Sequence, residues 1–258
     1  MLSLTESQVM AWIGTFLWTF MRIYMVVLTM PVLGSKSVPQ SVRVLLCIMI
    51  SWTLLPSIEP VFGVDLLSLE SLLISVQQLL IGILMGFVLL LVSAGLTFAG
   101  QSIAFAMGLG FASMVDPQNG TNVPVLGQLF VIVSTLIFLQ VNGHIIMLGL
   151  LSDSFQTLPI AIDGLTRNTY WELITWSSRI FVVGIMMALP AIAGIMLVNV
   201  GLGVMTKVAP QMNIFSVGFA VNIFFGLFLM IAILPSMMEA YTEFLAEGFG
   251  VVRELTSP

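Results

Sequence analysis

The longest charge-free stretch of the chain lies between Glu70 and Asp116 and covers 45 residues. As one helix it would be roughly 65–70 Å long, whereas the hydrocarbon layer of a bilayer is about 30 Å thick. The stretch therefore either forms one helix that projects far beyond the bilayer, or breaks and partly re-enters it. Four glycines are candidate break points: Gly95, Gly100, Gly108 and Gly110.

The composition places the whole chain in a membrane. Of its 258 residues 59% are hydrophobic and 7% are charged, whereas about a quarter of a soluble domain is charged. The expected fold class is all-α: one polytopic membrane domain over residues 1–258. No Lys or Arg precedes Arg22, so the first segment is expected to be retained as a span. Six apolar segments are predicted, at about 8–32, 42–62, 71–100, 125–150, 175–205 and 212–238.

The sequence also predicts where the segments connect, where they pack closely, where one is kinked and how they are oriented. A long polar connector is predicted over residues 152–172. Gly82 and Gly86 form a GxxxG motif, which lets two helices approach closely. Pro190, inside the fifth segment, is expected to kink its helix. The distribution of Lys and Arg among the loops favours both termini outside.

Several classes of function find little support. No basic run that could follow nucleic acid is present. Cys47 is the single cysteine and His144 the single histidine. Asp153 follows His144 by nine residues, which does not match the i, i+4 spacing of a helical metal-ligand pair. His144 is interpreted as a structural or helix-end residue, with a proton relay as the alternative.

Two arginines and an acidic stripe remain open to interpretation. Arg22 lies within an apolar segment and Arg179 near the start of another. Snorkelling to the interface explains both, and a carboxylate on a neighbouring subunit is the alternative partner for Arg22. In the C-terminal part, Glu239, Glu243 and Glu247 share one face if they are helical. That face is either solvated at the membrane surface or docks a basic partner.

The end of the charge-free stretch is rich in glycine and turn residues. Asp116-Pro117 and Asn119-Gly120 favour turns, and apolar Phe111 and Met114 lie beside them. The segment is either the solvated turn between two spans or an irregular loop that fills a cavity, because irregular backbone at membrane depth must be buried in protein or line a cavity.

Three motifs carry a resemblance to a known family. FASMVDPQNGTNVPVLGQ at 111–128, NGHIIMLGLLSDSFQTLPI at 142–160 and KVAPQMNIFSVGF at 207–219 resemble the FliR family of flagellar biosynthesis proteins. The similarity covers essentially the whole chain. One departure is Ala220, where the family favours proline.

The resemblance implies a non-enzymatic subunit of the flagellar export gate, with no cofactor and no metal. One copy would assemble with several FliP and several FliQ subunits, joined by FlhB and FlhA, around a central channel in the bacterial inner membrane. Part of it would be raised toward the periplasm. The channel would pass unfolded rod, hook and filament proteins.

The resemblance also implies a plug over 108–124 that closes the channel before export. Phe111 and Met114 would fill the lumen, and the other plug residues would shape the backbone: Gly108, Gly110, Asp116, Pro117, Gly120 and Pro124. Structural or interface roles fall to Arg22, Gly82, Gly86, Asn142, His144, Asp153, Pro190, Lys207, Pro210, Gln211, Glu239 and Glu243. Two alternatives remain: the corresponding subunit of a virulence secretion system, and a small-solute transporter or ion channel.

Overall fold

A computed structural model describes residues 5–35, 37–109, 125–208 and 214–257. Within these ranges the regular structure is helical and no strand occurs, which confirms the all-α prediction. The described helices are α1 Glu6–Thr29, α2 Gln40–Leu54 with a 3-10 turn at Leu55–Ser57, α3 Leu69–Ala106, α4 Val125–Gln140, α5 Gly143–Thr157, α6 Arg167–Ser177, α7 Arg179–Val208 and α8 Ile214–Thr256.

The number of apolar segments agrees with the prediction of six. Among the described residues, five helical stretches are long and apolar enough to cross a membrane, and a sixth is obtained if the bent pair of α4 and α5 counts as one span. These two helices meet at an angle of 65°. Asn142 lies between them with φ 55° and ψ 32°, in the left-handed region that asparagine tolerates better than most residues.

Helix α3 resolves the question raised by the charge-free stretch. It continues through Gly95 and Gly100 for 38 residues, about 57 Å at 1.5 Å per residue. Gly108 follows with φ 84°, a backbone conformation that costs glycine little. The break therefore comes after Ala106, and the alternative of one overlong helix is correct for 69–106.

One sequence expectation needs correction. The connector predicted over 152–172 contains the end of α5, where Ser154 and Phe155 are buried, and the start of α6, which has no buried residue. At the one departure from the family, α8 runs unbroken through Ala220, which, unlike proline, keeps its backbone N–H. Pro190 lies within continuous α7, and its kink stays a prediction.

The chain divides into two compact units. Unit 1 comprises Met1–Leu91, Phe138–Ser177 and Ala246–Pro258, and unit 2 comprises Val92–Ile137 and Ser178–Leu245. The expectation of a single membrane domain stays a prediction.

In unit 1, α1 and α3 pack closely and in parallel. Trp18 Nε1 donates to Ser75 Oγ at 3.1 Å, near the N-terminal end of α3. Further along both helices, a Cβ on Gly82 would lie 2.5 Å from the Arg22 carbonyl oxygen, and one on Gly86 would overlap the Thr29 side chain. The GxxxG motif therefore packs against α1 of the same chain.

In unit 2, small residues face large apolar ones. A Cβ on Gly100 would overlap the Phe130 ring, and one on Gly184 would lie 2.6 Å from Phe98. Phe130 is fully buried, so Gly100 provides the space that its ring occupies. These two contacts depend on shape complementarity between a small residue and an aromatic ring.

Candidate functional site

A buried guanidinium is the most distinctive feature of unit 1. Arg22 on α1 is 0% exposed. Its Nε donates to Gln78 Oε1 on α3 at 2.8 Å. Its Nη1 donates to the carbonyl oxygen of Ser154 on α5 at 2.8 Å and to the hydroxyl oxygen of that residue at 3.1 Å. We refer to Arg22, Gln78, Ser154 and the residues that they contact as the Arg22 centre.

The Arg22 centre also caps the C-terminal end of α5. Nη2 of Arg22 donates to the Leu158 carbonyl oxygen at 2.8 Å, and Leu158 is the C-cap residue of this helix. The last carbonyls of a helix lack partners within it and carry its partial negative charge, so a cation there is favourable. The Phe155 ring lies 4.2 Å from the guanidinium carbon and adds a cation–π contact.

This geometry decides how Arg22 is accommodated. The snorkelling interpretation is wrong for Arg22, because the side chain is fully buried rather than extended to an interface. Its acceptors come from its own chain and are neutral. The centre therefore joins α1, α3 and the end of α5 by directional hydrogen bonds.

The partners of Arg22 could not be identified from the sequence. Gln78, Ser154 and Leu158 are 56, 132 and 136 residues away along the chain, and no periodicity links such distant positions. One weak signal exists: Gln77-Gln78 is an adjacent pair of amides within the charge-free stretch.

His144 and Asp153 do not form a joint site. Both lie on α5, but a separation of nine residues places them on opposite faces of a helix. Asp153 is exposed and His144 is half-buried. Among the described residues, no hydrogen-bond partner is found for the buried Nδ1 of His144, and no group of three His, Cys, Asp or Glu residues could hold a metal ion.

The acidic stripe of the C-terminal part lies on a helix. α8 continues to Thr256, so Glu239, Glu243 and Glu247 follow one another at single-turn spacing, as the sequence suggested. Glu239 and Glu243 are exposed. Within unit 1, Oε1 of Glu247 accepts a hydrogen bond from Trp176 Nε1 at 3.0 Å. The choice between a solvated face and a docking face stays open.

Most of the expected plug lies outside the described residues. Gly108 is described, and an ideal Cβ at this position would lie 3.6 Å from the Phe219 ring. Met107 is fully buried against Gly226 of α8. Gly110, Phe111, Met114, Asp116, Pro117, Gly120 and Pro124 lie outside the described ranges, as do Pro210 and Gln211. Lys207, in the last turn of α7, is exposed.

Comparison with known proteins identifies the class of this helical chain. Residues 13–248 match the family model of the bacterial export proteins, family 1. The chain therefore belongs to this family of bacterial export proteins.

Individual relatives narrow the class to flagellar proteins. The chain is 36% identical to the flagellar biosynthetic protein FliR of Escherichia coli K12 over 257 residues, which cover 100% of this chain and 98% of that protein. It is 31% identical to FliR of Pectobacterium carotovorum over 99% of this chain and 97% of that protein. FliR of Bacillus subtilis is 28% identical over 81% of each chain. The resemblance stated from the three motifs is confirmed.

These relationships establish a component of the flagellar protein export apparatus with apolar, membrane-spanning helices. The family is one of export proteins and is not a known enzyme family. Within unit 1, the Arg22 centre joins helices through hydrogen bonds from the guanidinium to four acceptor atoms.

Proposed function

We propose that this chain is a channel-forming subunit of the flagellar export gate, which passes unfolded rod, hook and filament proteins across the bacterial inner membrane. The observation that carries the proposal is the full-length similarity to flagellar FliR proteins. The energy for transport would come from elsewhere, since the sequence has no phosphate-binding loop.

The uneven burial of the long helices supports an assembly of several subunits. In the most apolar 18 residues of α3, 61% are buried within the chain, compared with 17% in α8. Phe224 and Phe228 on α8 are 79% and 62% exposed. In the proposal, several FliP and FliQ subunits cover these faces around one copy of this chain, and FlhB and FlhA join the complex.

The proposed plug spans residues 108–124. Two described features at its start support an irregular path: α3 ends at Ala106, and Gly108 has a positive φ. In the closed gate, Phe111 and Met114 fill the lumen. Apolar side chains dewet a constriction and thereby block ions, and on a glycine-rich backbone they can be displaced by a passing chain.

The proposed location is the flagellar basal body, with part of the subunit raised toward the periplasm. Such a position would explain an α3 helix that is nearly twice as long as the hydrocarbon layer is thick, because protein surfaces rather than lipid would cover its ends.

Deletion of residues 110–120 tests the proposal. The deleted chain is co-expressed with FliP and FliQ homologues, and both copurification and ion conductance of the membrane are recorded. We expect a leaky membrane with the complex still assembled, because the lumen loses its apolar filling. Leu67→Ser, at a 97% exposed loop position, is the matched control and should leave conductance at the wild-type level.

Each outcome has a defined meaning. Unchanged conductance with normal assembly would show that 110–120 is a simple turn and would overturn the plug. Failure of the wild-type chain to copurify with FliP and FliQ would overturn the export-gate assembly and favour a transporter that is stable alone.

A further inference from the structure

Buried polar groups at and near the Arg22 centre lack hydrogen-bond partners. The side chains of Thr19 and Gln78 are 0% exposed. Among the described residues, no partner is found for Thr19 Oγ1 or for Gln78 Nε2. Thr19 precedes Arg22 by three residues on α1, so the two side chains lie on the same face of that helix. Gln78 is bonded directly to the guanidinium.

Four acceptor atoms around the guanidinium each receive a hydrogen bond from Arg22. Gln78 Oε1 accepts from Arg22 Nε, and the carbonyl oxygens of Ser154 and Leu158 accept from Nη1 and Nη2. The hydroxyl of Ser154 accepts from Nη1 and donates to the Leu151 carbonyl oxygen at 2.7 Å. A guanidinium has five N–H groups, and four of them donate in these hydrogen bonds, so one N–H on Nη2 remains.

The positive charge of Arg22 also has no ionised counter-group among its contacts. Arg22 carries a full positive charge, whereas each of its hydrogen-bond partners is neutral. The end of α5 contributes only a partial negative charge. Burying a cation is costly unless an opposite charge accompanies it.

We propose that the Arg22 centre binds one small monovalent anion of the halide class, chloride in the cell. The anion accepts hydrogen bonds from Gln78 Nε2 and the remaining Nη2 N–H of Arg22, with the hydroxyl of Thr19 as a further donor. A water molecule could accept the same hydrogen bonds, but unlike an anion it carries no charge. The anion also neutralises the guanidinium.

The test measures the thermal stability of the full-length tagged chain in detergent-solubilised membranes that contain its partners. Chloride is exchanged for gluconate at constant ionic strength. A ligand bound only to the folded state raises Tm with its concentration, by about 3 °C for each tenfold increase for a chain of this size. We expect this dependence in the wild-type chain.

Gln78→Glu separates a bound anion from a general salt effect. The new carboxylate occupies the position of the amide and supplies an internal negative charge, so the dependence of Tm on chloride should disappear and Tm at low chloride should rise. Gln77→Glu is the matched control: its amide faces Gly164, with Oε1 3.1 Å from an ideal Cβ position there. That variant should keep the chloride dependence, whatever its absolute Tm.

A direct measurement covers the case in which a variant fails to fold. Crystals of the wild-type complex grown in bromide should show an anomalous peak within about 3.5 Å of Gln78 Nε2, a distance at which a halide accepts hydrogen bonds. A Tm that is independent of chloride, an equal dependence in wild type and Gln78→Glu, or the absence of an anomalous peak would each overturn the proposal.

Discussion

The two units of this chain are stabilised by different kinds of contact. Unit 1 is organised around a buried cation that joins α1, α3 and α5 through four hydrogen bonds. The contacts described above for unit 2 are apolar, such as Gly100 with Phe130. The polar contacts described for it join neutral groups: Asn222 Nδ2 donates to Asn199 Oδ1 at 2.6 Å, and Tyr241 Oη donates to the Ser134 carbonyl oxygen at 3.5 Å.

The difference lies in how each unit is held internally, since unit 1 also exposes large apolar side chains, such as Trp52 at 71%. Hydrogen bonds to a charged group are directional and strong, so unit 1 tolerates little change at Arg22. The long helices of unit 2 likewise expose large apolar side chains, such as Leu197 and Phe224 at 75% and 79%. In our proposal, neighbouring subunits cover this surface.

The largest expected effect comes from removing the charge of unit 1. Arg22→Met keeps a long apolar stem but leaves Gln78, Ser154 and Leu158 without their donor. We expect a loss of about 3 kcal/mol or more of stability, because each buried acceptor left unpaired costs about 1–3 kcal/mol. Thermal unfolding of the solubilised chain measures the loss. Arg253→Met, at an exposed position of α8, is the control, and equal stability of the two variants would contradict the comparison.

A slightly smaller effect is expected at the α1–α3 contact. Gly86→Val would place methyl groups on the Thr29 side chain, and such overpacking costs about 1–3 kcal/mol. Gly149→Ala on α5 is the control, because nothing lies within 4 Å of its ideal Cβ position. That control should gain about 0.5–1 kcal/mol from the better helix propensity of alanine. Tm values that fall equally in both variants would show that α1 and α3 do not require close approach.

A third prediction concerns the bend between α4 and α5. Asn142→Val places a β-branched residue in the left-handed conformation and should cost about 1–2 kcal/mol. Asn142→Gly should be within a few tenths of a kcal/mol of wild type. Denaturation of both variants by heat measures the difference, and a valine variant as stable as the glycine variant would argue against the left-handed bend.

The smallest expected change in stability is in unit 2. The same substitution should have the clearest effect on assembly with other subunits. Phe224→Ser removes a 79% exposed ring and should alter the stability of the chain by less than about 0.5 kcal/mol. Recovery of FliP and FliQ homologues with the tagged chain should fall, because an interface loses apolar area. Phe105→Ser, 61% exposed on α3, allows comparison with another helix. Undiminished recovery with Phe224→Ser would indicate that this part of α8 faces lipid.

The sequence predicts the elements of this fold better than their junctions. The absence of charge between Glu70 and Asp116 is sufficient to predict an overlong apolar segment. The bend at Asn142 is harder to predict, although Asn-Gly is a turn signal, because the apolar run continues on both sides of it. The residues of α6 resemble a polar connector because polar and apolar residues are mixed among them, so no apolar run indicates a helix.

The candidate site likewise has features that the sequence predicts and features that it does not. The position of Arg22 in a span is evident from the sequence, and its functional importance is a general expectation for charges in such segments. Its burial is not evident, because the three partners that satisfy it come from α3 and from the end of α5. The plug depends on the family resemblance, and the residues expected to fill the lumen remain a prediction.

The most direct test of the channel is cross-linking to a substrate in transit. A photo-reactive amino acid is placed at Met114, at Phe111 or at the exposed control Leu67, and an export substrate is stalled by a folded domain at its C-terminus. The account predicts cross-links to the stalled chain from 111 and 114 and none from 67. Efficient stalling without cross-links from 111 and 114 would contradict a lumen formed by this chain.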